Sequence, residues 1–560
     1  MITPGWDIWI RIFFIMLSSS VTAALGTEMV ILGGQVRTMD KLNPIAQAVA
    51  VAGDRIIAVG TDEEISELIT PSAAVIYADG RLVLPGFNDA HLHFVGGGSA
   101  LAELDLTGVA EPAAIRDRIR LAAENTPPGE WIIGRGWDHT LFNAGRWPNK
   151  SLLDQAAPRR PVFLTRVDGH VAWVNSAALA LADITHDTPD PVGGAIVRAS
   201  DGQPTGVLLE SAVDLVQRLI PQNSENQNLA AVRRALMHAR ELGITSVQDN
   251  SGIESCSLYR RLAENGELTV RVSEWLDLST AQEPSKLAAT MAELRMQAIP
   301  HLLRPGLLKG FVDGTLGSRT AALFEPYVDD PSTCGLPKFT LETLVPLLTA
   351  ADSLGLQVGL HCIGDKAAWT ALTAYSAASC GDVHSKRHRI EHAQVLRAQD
   401  LAKLSEFGVI ASMQPTHCTS DLRWAEERLG HERSRGAYAW RSILASGGMI
   451  AFGTDWPIEP LDPMRGIYSA VTRRNIETGL PPEGWFPEQC LSVEEAVYCY
   501  TMGSAFAEFA EQDKGSISPG KLADIIILDR NIFEIAPEEI LKTRVDLTIL
   551  GGRVVYTRPQ

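Results

Sequence analysis

Leu82-Val83-Leu84-Pro85-Gly86-Phe87-Asn88-Asp89-Ala90-His91-Leu92-His93 is an apolar run that ends in two histidines two residues apart. In an extended strand residues i and i+2 point to the same side, so both imidazoles can reach one ion. A bare His-x-His arises often by chance; its place at the end of such a run gives it weight. Seven further runs, each closed by a polar or Gly-rich break, are Ile244–Asp249, Val270–Trp275, Leu307–Asp313, Val358–Asp365, Arg389–Gln394, Val409–His417 and Met449–Asp455. Helical patterns such as Leu229–Leu242 and Leu341–Leu354 separate them. Strands alternating with helices imply βα units and a parallel sheet. Eight units fit a closed α/β (β/α)8 TIM-like barrel, in which sites lie at the C-terminal ends of the strands.

The ends of the chain read differently. Short β-branched runs broken by Gly-Gly or Gly-Asp turns, such as Met29–Leu32 and Ala48–Val51, indicate antiparallel strands. Asp524–Asp529, Val545–Leu550 and Arg553–Tyr556 repeat the style near the C-terminus. One composite β-sandwich from both termini is expected, with parts at 27–84 and 511–560 around a barrel at 85–510. The segment 103–234 is too long for a βα loop and reads as an insertion over the barrel's C-terminal face. Residues 1–26, with the apolar Ile8–Leu17 run and the small-residue stretch Ala23–Gly26, resemble a secretory signal peptide. That predicts a periplasmic or secreted protein, or a cytoplasmic one if the leader is not a signal.

Of the 560 residues 45% are hydrophobic and 21% charged, the composition of a globular protein. A net charge of −18 argues against nucleic acid as a partner. No stretch after the leader is long and apolar enough for a stable membrane span. Seven cysteines, an odd and scattered number, argue against a disulfide framework. Self-association into a homo-oligomer is left open.

The His-x-His pattern recurs as single residues at later run ends: His361 after Val358-Gly359-Leu360, His392 after Arg389-Ile390-Glu391, and Asp455 after Gly453-Thr454. Imidazoles and a carboxylate at one rim are the donors of a catalytic zinc with an open position for water. Lys309 ends Leu307-Leu308 and is costly at a barrel mouth unless paired. It reads either as a salt-bridge partner of Asp313 or another carboxylate, or as a carbamate bridging two metals. Cys362 and Cys418 adjoin histidines, but strand neighbours face opposite sides, so neither is taken as a nucleophile.

Pro-Gly-Phe-x-Asp-x-His-x-His, the single histidines and Gly453-Thr454-Asp455-Trp456-Pro457 resemble the amidohydrolase superfamily. More narrowly, the chain resembles the amidohydrolase 3 (YtcJ-like) family, which includes N-substituted formamide deformylases. Gly136-Trp137-Asp138, Arg166–His170 with Asn175, Asp313–Ala321, Gln414-Pro415-Thr416-His417 and Pro519–Asp524 extend the match over nearly everything after the leader. Thr454 stands where the family's block has serine, which leaves the carboxylate in place.

The resemblance implies a divalent metal, zinc by preference and one or two ions. His91 and His93 would hold the more buried ion, with His361 and His392 also ligands. Lys309 would bridge, and Asp455 would be general base and ligand. Substrate contacts would fall to Trp137, His139, His170, Asn175, Arg319 and His417. Competing structural roles are a core aromatic for Trp137, a cap for Asn175 and an ion pair for Arg319. The expected reaction is cleavage of a non-peptide carbon–nitrogen bond in a small-molecule amide by metal-activated water. Ester, lactone or cyclic-amide hydrolysis, or deamination, would use nearly the same site. A non-catalytic binding or regulatory protein would be expected to lack a ligand or the base, and none is missing. No Gly-rich phosphate loop follows a strand in the context a nucleotide-dependent enzyme needs.

Overall fold

A computed structural model describes residues 26–559 except 128, 143–145, 168, 170, 192–193, 222 and 380–381. The leader expectation falls outside the described residues. Eight parallel strands form the central sheet: β1 (Phe87–Leu92), β2 (Ile244–Asp249), β3 (Arg271–Asp277), β4 (Leu303–Phe311), β5 (Val358–Cys362), β6 (Arg389–His392), β7 (Ile410–Met413) and β8 (Ile450–Phe452), in sequential order. The ring closes where β8 leads back to β1. Asp455 N donates to His91 O at 2.7 Å, and His93 N to Trp456 O at 2.8 Å. Only glycine fits at 453, where a Cβ would lie 2.5 Å from His91 N and 2.7 Å from Asp89 Oδ1.

The opening run is two strands rather than one. Leu82–Pro85 pairs with Gln35–Arg37 and Ile525–Leu528 in a six-stranded sheet, and Phe87–Leu92 enters the barrel. Gly86 makes the break, because a Cβ there would overlap the Thr245 side chain of β2. That sheet joins strands from both ends of the chain. It shares one apolar core with a four-stranded sheet of Arg55–Gly60, Ala48–Ala52, Met29–Leu32 and Ala74–Tyr77. Met29, Ile31, Val49 and Val51 from one sheet meet Val83, Ile525, Ile527 and Ile549 from the other. The fold is a TIM-like barrel with a composite β-sandwich.

Residues 97–231 form a second compact unit with its own six-stranded sheet. Its order is Gly194–Arg198, Pro204–Glu210, Val171–Val174, Val162–Arg166, Ile132–Trp137 and Leu104–Asp105. Two apolar clusters form its cores, one around Trp137 and Trp173 and one around Phe163 and Val174. Among the described residues no helix is long and apolar enough to cross a membrane.

The N-terminal end of the barrel is polar. Glu508, 4% exposed, pairs with Lys514 at 2.8 Å and Arg304 at 2.5 Å, and accepts from Asn88 Nδ2 of β1 at 2.7 Å. Lys514 Nζ donates to Ser246 Oγ of β2 at 2.8 Å. Burial alone would raise the Glu508 carboxyl, but the two cations outweigh it and hold it near 2, against an ordinary 4.5. A depressed carboxyl pKa stabilises the fold fully above the unfolded value and stops doing so as pH falls through the folded one. Between pH 4.5 and 2, wild type should therefore lose on the order of 3 kcal/mol from this group. Denaturant titrations of Glu508→Gln should show a lower plateau and a flatter acid limb. An unchanged limb would reject the assignment.

Candidate metal centre

The strand ends bring distant histidines to one cavity. His91 and His93 come from the end of β1, His361 from β5, His392 from β6 and Asp455 from just after β8. Ring centroids are 5.9 Å apart for His91–His93, 4.9 Å for His91–His392 and 4.5 Å for His361–His392. Asp455 Oδ1 lies 3.3 Å from His93 Nε2 and 3.6 Å from His91 Nε2. Its Oδ2 lies 3.7 Å from His417 Nε2. Left-handed backbone turns these side chains inward, with φ of 72° at His392, 44° at Ala393 and 58° at Asp455. Such non-glycine conformations are strained and cluster at functional sites.

Each imidazole at the strand ends has one nitrogen already engaged, which fixes the tautomer of a neutral ring. His91 Nδ1 donates to Glu391 Oε2 at 2.7 Å, His93 Nδ1 to Asn250 O at 3.1 Å and His392 Nδ1 to Gln414 Oε1 at 2.8 Å. His91 and His392 are left with a free Nε2 lone pair, and Nε2 of His93 faces Asp455 Oδ1 at 3.3 Å. His361 is the reverse: its Nε2 donates to Gly314 O at 3.0 Å, leaving Nδ1 free. Asp455 is shared by two candidate ligand groups, His91–His93–Asp455 and His392–His417–Asp455, whose donor atoms lie within 4.8 Å of one another. Lys309 Nζ and His417 Nε2 are buried with no hydrogen-bond partner among the described residues. Converging lone pairs, a carboxylate and orphaned polar atoms fit a divalent metal.

Burial lowers His91 to about 4 and His361 to about 3, the positive charge of Lys309 adding to both, and lowers His392 well below the ordinary range. His93 goes the other way: burial opposes, but the Asp455 carboxylate outweighs it and raises the ring. Burial would raise Asp455, yet the surrounding imidazoles hold it well below the carboxylate range, so it is ionised. Lys309 is lowered to about 8, by burial first. Trp275 and Phe311 lie beneath its ammonium, 5.7 and 5.0 Å away.

Lys309 is not the salt-bridge partner of Asp313. That carboxylate instead accepts from Ile363 N, Gly364 N and Ala322 N at 2.8–3.0 Å. Thr454 keeps the hydroxyl that a serine would offer, donating it to Asp89 Oδ2 at 2.6 Å.

His417 is not on a strand. Pro415 starts a helix, Pro415–Asp421, and His417 faces Asp455 from its first turn. The structure thus sets a residue read as a substrate contact among the candidate ligands.

Three other residues read as substrate contacts have structural work to do. Trp137 is fully buried in an apolar core, its indole N–H donating to Leu164 O at 2.9 Å. Asn175 caps the helix Ser176–Leu181 and uses its whole amide: Oδ1 accepts from Val162 N and Ala178 N, and Nδ2 donates to Ala157 O and Arg160 O. Arg319 pairs with Asp329 at 2.7 Å. His139 stacks on Trp147 with centroids 3.9 Å apart, within the second unit. His170 lies outside the described residues.

Sequence reading missed Glu391 and Arg389. Glu391 Oε1 lies 2.7 Å from Arg389 Nε, and both side chains are fully buried. The signal was present, since Arg-x-Glu in a strand covered on both faces can only be a buried pair.

Comparison with known proteins points to one family. The model of the amidohydrolase family matches residues 74–556. YtcJ of Bacillus subtilis is 33% identical over 94% of this chain and 99% of its own. The N-substituted formamide deformylase of Arthrobacter pascens is 30% identical over 95% of this chain and 98% of its own. The crystal structure of a metal-dependent hydrolase from Pyrococcus furiosus superposes with a TM-score of 0.72 at 31% identity, covering 90% of this chain and 100% of that one.

Because His91, His361 and His392 are already neutral in mildly acidic solution, zinc uptake has only the His93 proton to displace among the strand-end rings. The logarithm of zinc affinity should rise with pH from 5 to 6.5 by about one proton per ion, or about two if Lys309 also discharges. Equilibrium dialysis measures the slope. Three or more protons would mean that the rings titrate as ordinary histidines.

Proposed function

Since the chain belongs to the amidohydrolase family, we propose that it is a metal-dependent hydrolase of non-peptide carbon–nitrogen bonds. N-formyl or N-acyl amines are the proposed substrate class. One observation carries the reading: four strand-end imidazoles, each with one nitrogen tied back, gather around the ionised Asp455. The deformylase relative supports the substrate class by its activity, and a nitrogen-rich donor set with one carboxylate suits zinc.

His91, His93 and Asp455 would hold one ion, and His361 and His392 would serve a second. Bound metal supplies a Lewis acid for a carbonyl and lowers the pKa of water. Lys309, lowered to about 8, carries more free amine at neutral pH than an ordinary lysine, and that amine is suited to take up carbon dioxide as a carbamate, releasing a proton. Asp455 accepts the proton of the attacking water and returns it to the departing nitrogen. His417, with its Nε2 unpartnered, is placed to steady the substrate oxygen as charge develops there. Water is consumed, the C–N bond breaks, and a carboxylic acid and an amine leave.

Asp455→Asn should lower kcat by about 10²–10⁴-fold, the usual contribution of a general base, with a far smaller change in KM. The assay uses a panel of N-formyl and N-acyl amines, with metal content measured alongside. Near-normal turnover in a metal-loaded variant rejects the role. Wild-type activity that survives a chelator rejects the metal-dependent reading.

A further inference from the structure

Resting on the metal-site reading above, we infer that Glu391, held by Arg389, is a positioning residue that sets how tightly His91 binds metal. His91 offers a lone pair at Nε2 only while Nδ1 keeps its proton, and Glu391 Oε2 is the group that receives it, at 2.7 Å. Both side chains are essentially unexposed, at 1% and 0%. Burial keeps solvent from that hydrogen bond, and among the described residues Glu391 is the partner of Nδ1.

Glu391 is itself fixed by Arg389, with Nε 2.7 Å from Oε1 and Nη2 3.1 Å from Oε2. The guanidinium also donates from Nη2 to Ala90 O at 2.7 Å and Ser412 Oγ at 2.7 Å, and from Nη1 to Gln248 Oε1. Its anchors therefore come from β1, β2 and β7, and the carboxylate cannot drift without breaking contacts to three strands. Ala90 is the residue before His91, so one arginine sets both the backbone and the ring partner of the ligand. A negative acceptor on the far nitrogen also makes the imidazole a stronger donor to a cation. Loss of such outer partners typically weakens metal binding 10–100-fold. His91 and Arg389 both bond to Oε2 of Glu391, while Oε1 lies 2.7 Å from Arg389 Nε in ionic contact without a hydrogen bond.

Charge and hydrogen bonding are separated by Glu391→Gln, which keeps an acceptor for Nδ1, and Glu391→Ala, which keeps neither. Zinc dissociation constants are measured by competition with a chromophoric chelator, with melting of the metal-free proteins as the control for folding. Glu391→Gln should weaken zinc about tenfold and Glu391→Ala towards 100-fold. The visible bands of the cobalt-loaded variants should shift with them. Should the single variants not fold, Arg389→Met with Glu391→Gln removes both charges together and should show the Glu391→Gln effect. A folded variant of any of these that holds zinc within about twofold of wild type overturns the positioning role and leaves the metal site intact. Wild type that binds no zinc overturns both.

Discussion

The buried pair of Arg389 and Glu391 is the constraint around which the barrel interior is arranged. Two unscreened charges in a closed barrel are tolerable only if paired and hydrogen-bonded on every side. The protein approaches that condition by drawing partners from several strands, with Arg389 Nε and Glu391 Oε1 left in ionic contact at 2.7 Å without a hydrogen bond. Glu391 leads upward to His91 and the site. Arg389 leads downward through Gln248, whose amide donates to Asn88 Oδ1 at 3.4 Å, and through Asn88 to the polar plug of Glu508 and Lys514. A TIM barrel is usually filled by layers of branched apolar side chains. Here Asn88, Gln248, Arg389 and Glu391, all buried, take part of that space.

That arrangement explains why the site tolerates strained backbone. Left-handed turns at His392 and Asp455 swing side chains over the mouth, a conformation that costs of order 1–3 kcal/mol at each residue. Each is held from outside itself. Asp455 N is bonded to His91 O, and the neighbouring Thr454 is held by Asp89 through both its N–H and its hydroxyl. His392 is fixed by Gln414. The last and first strands are thus joined at the point where their ligands must meet, so closure of the barrel and assembly of the site are one event.

The residues legible from sequence were those with a periodic or chemical signature. Apolar runs closed by a polar or Gly-rich break pointed to eight strands, and β-branched runs at both termini pointed to the sandwich. What escaped depended on backbone. Gly86 divides an unbroken apolar run because its neighbour Thr245 leaves no room for a Cβ, a fact of packing rather than pattern. Val409–His417 reads as one run, yet Pro415 begins a helix within it. The carbonyls of Asn250 and Gly314 that fix His93 and His361 carry no mark in the sequence, since every residue has one. Trp137 and Asn175 stand in recognisable motifs for structural reasons, one as core and one as cap. Membership of a motif does not distinguish a residue that touches substrate from one that builds the wall.

Charge balance ties these elements to the chemistry. Lys309 and Arg389 bring two positive charges to the cavity, and Glu391 and Asp455 bring two negative ones, so the four groups sum to zero. A divalent ion adds two positive charges to a space with little water to screen them. The two added charges can be offset in two ways that use residues already present. Carbamate formation turns Lys309 from a cation into an anion, a change of two units. Alternatively, His93 gives up the proton that Asp455 draws onto it, and a water ionises. Both routes release protons as metal enters, and both need Asp455 to be ionised beforehand, the state its imidazole neighbours enforce. The same histidines that would hold the ion therefore prepare the base, which is why neither function can be moved to another strand without losing the other.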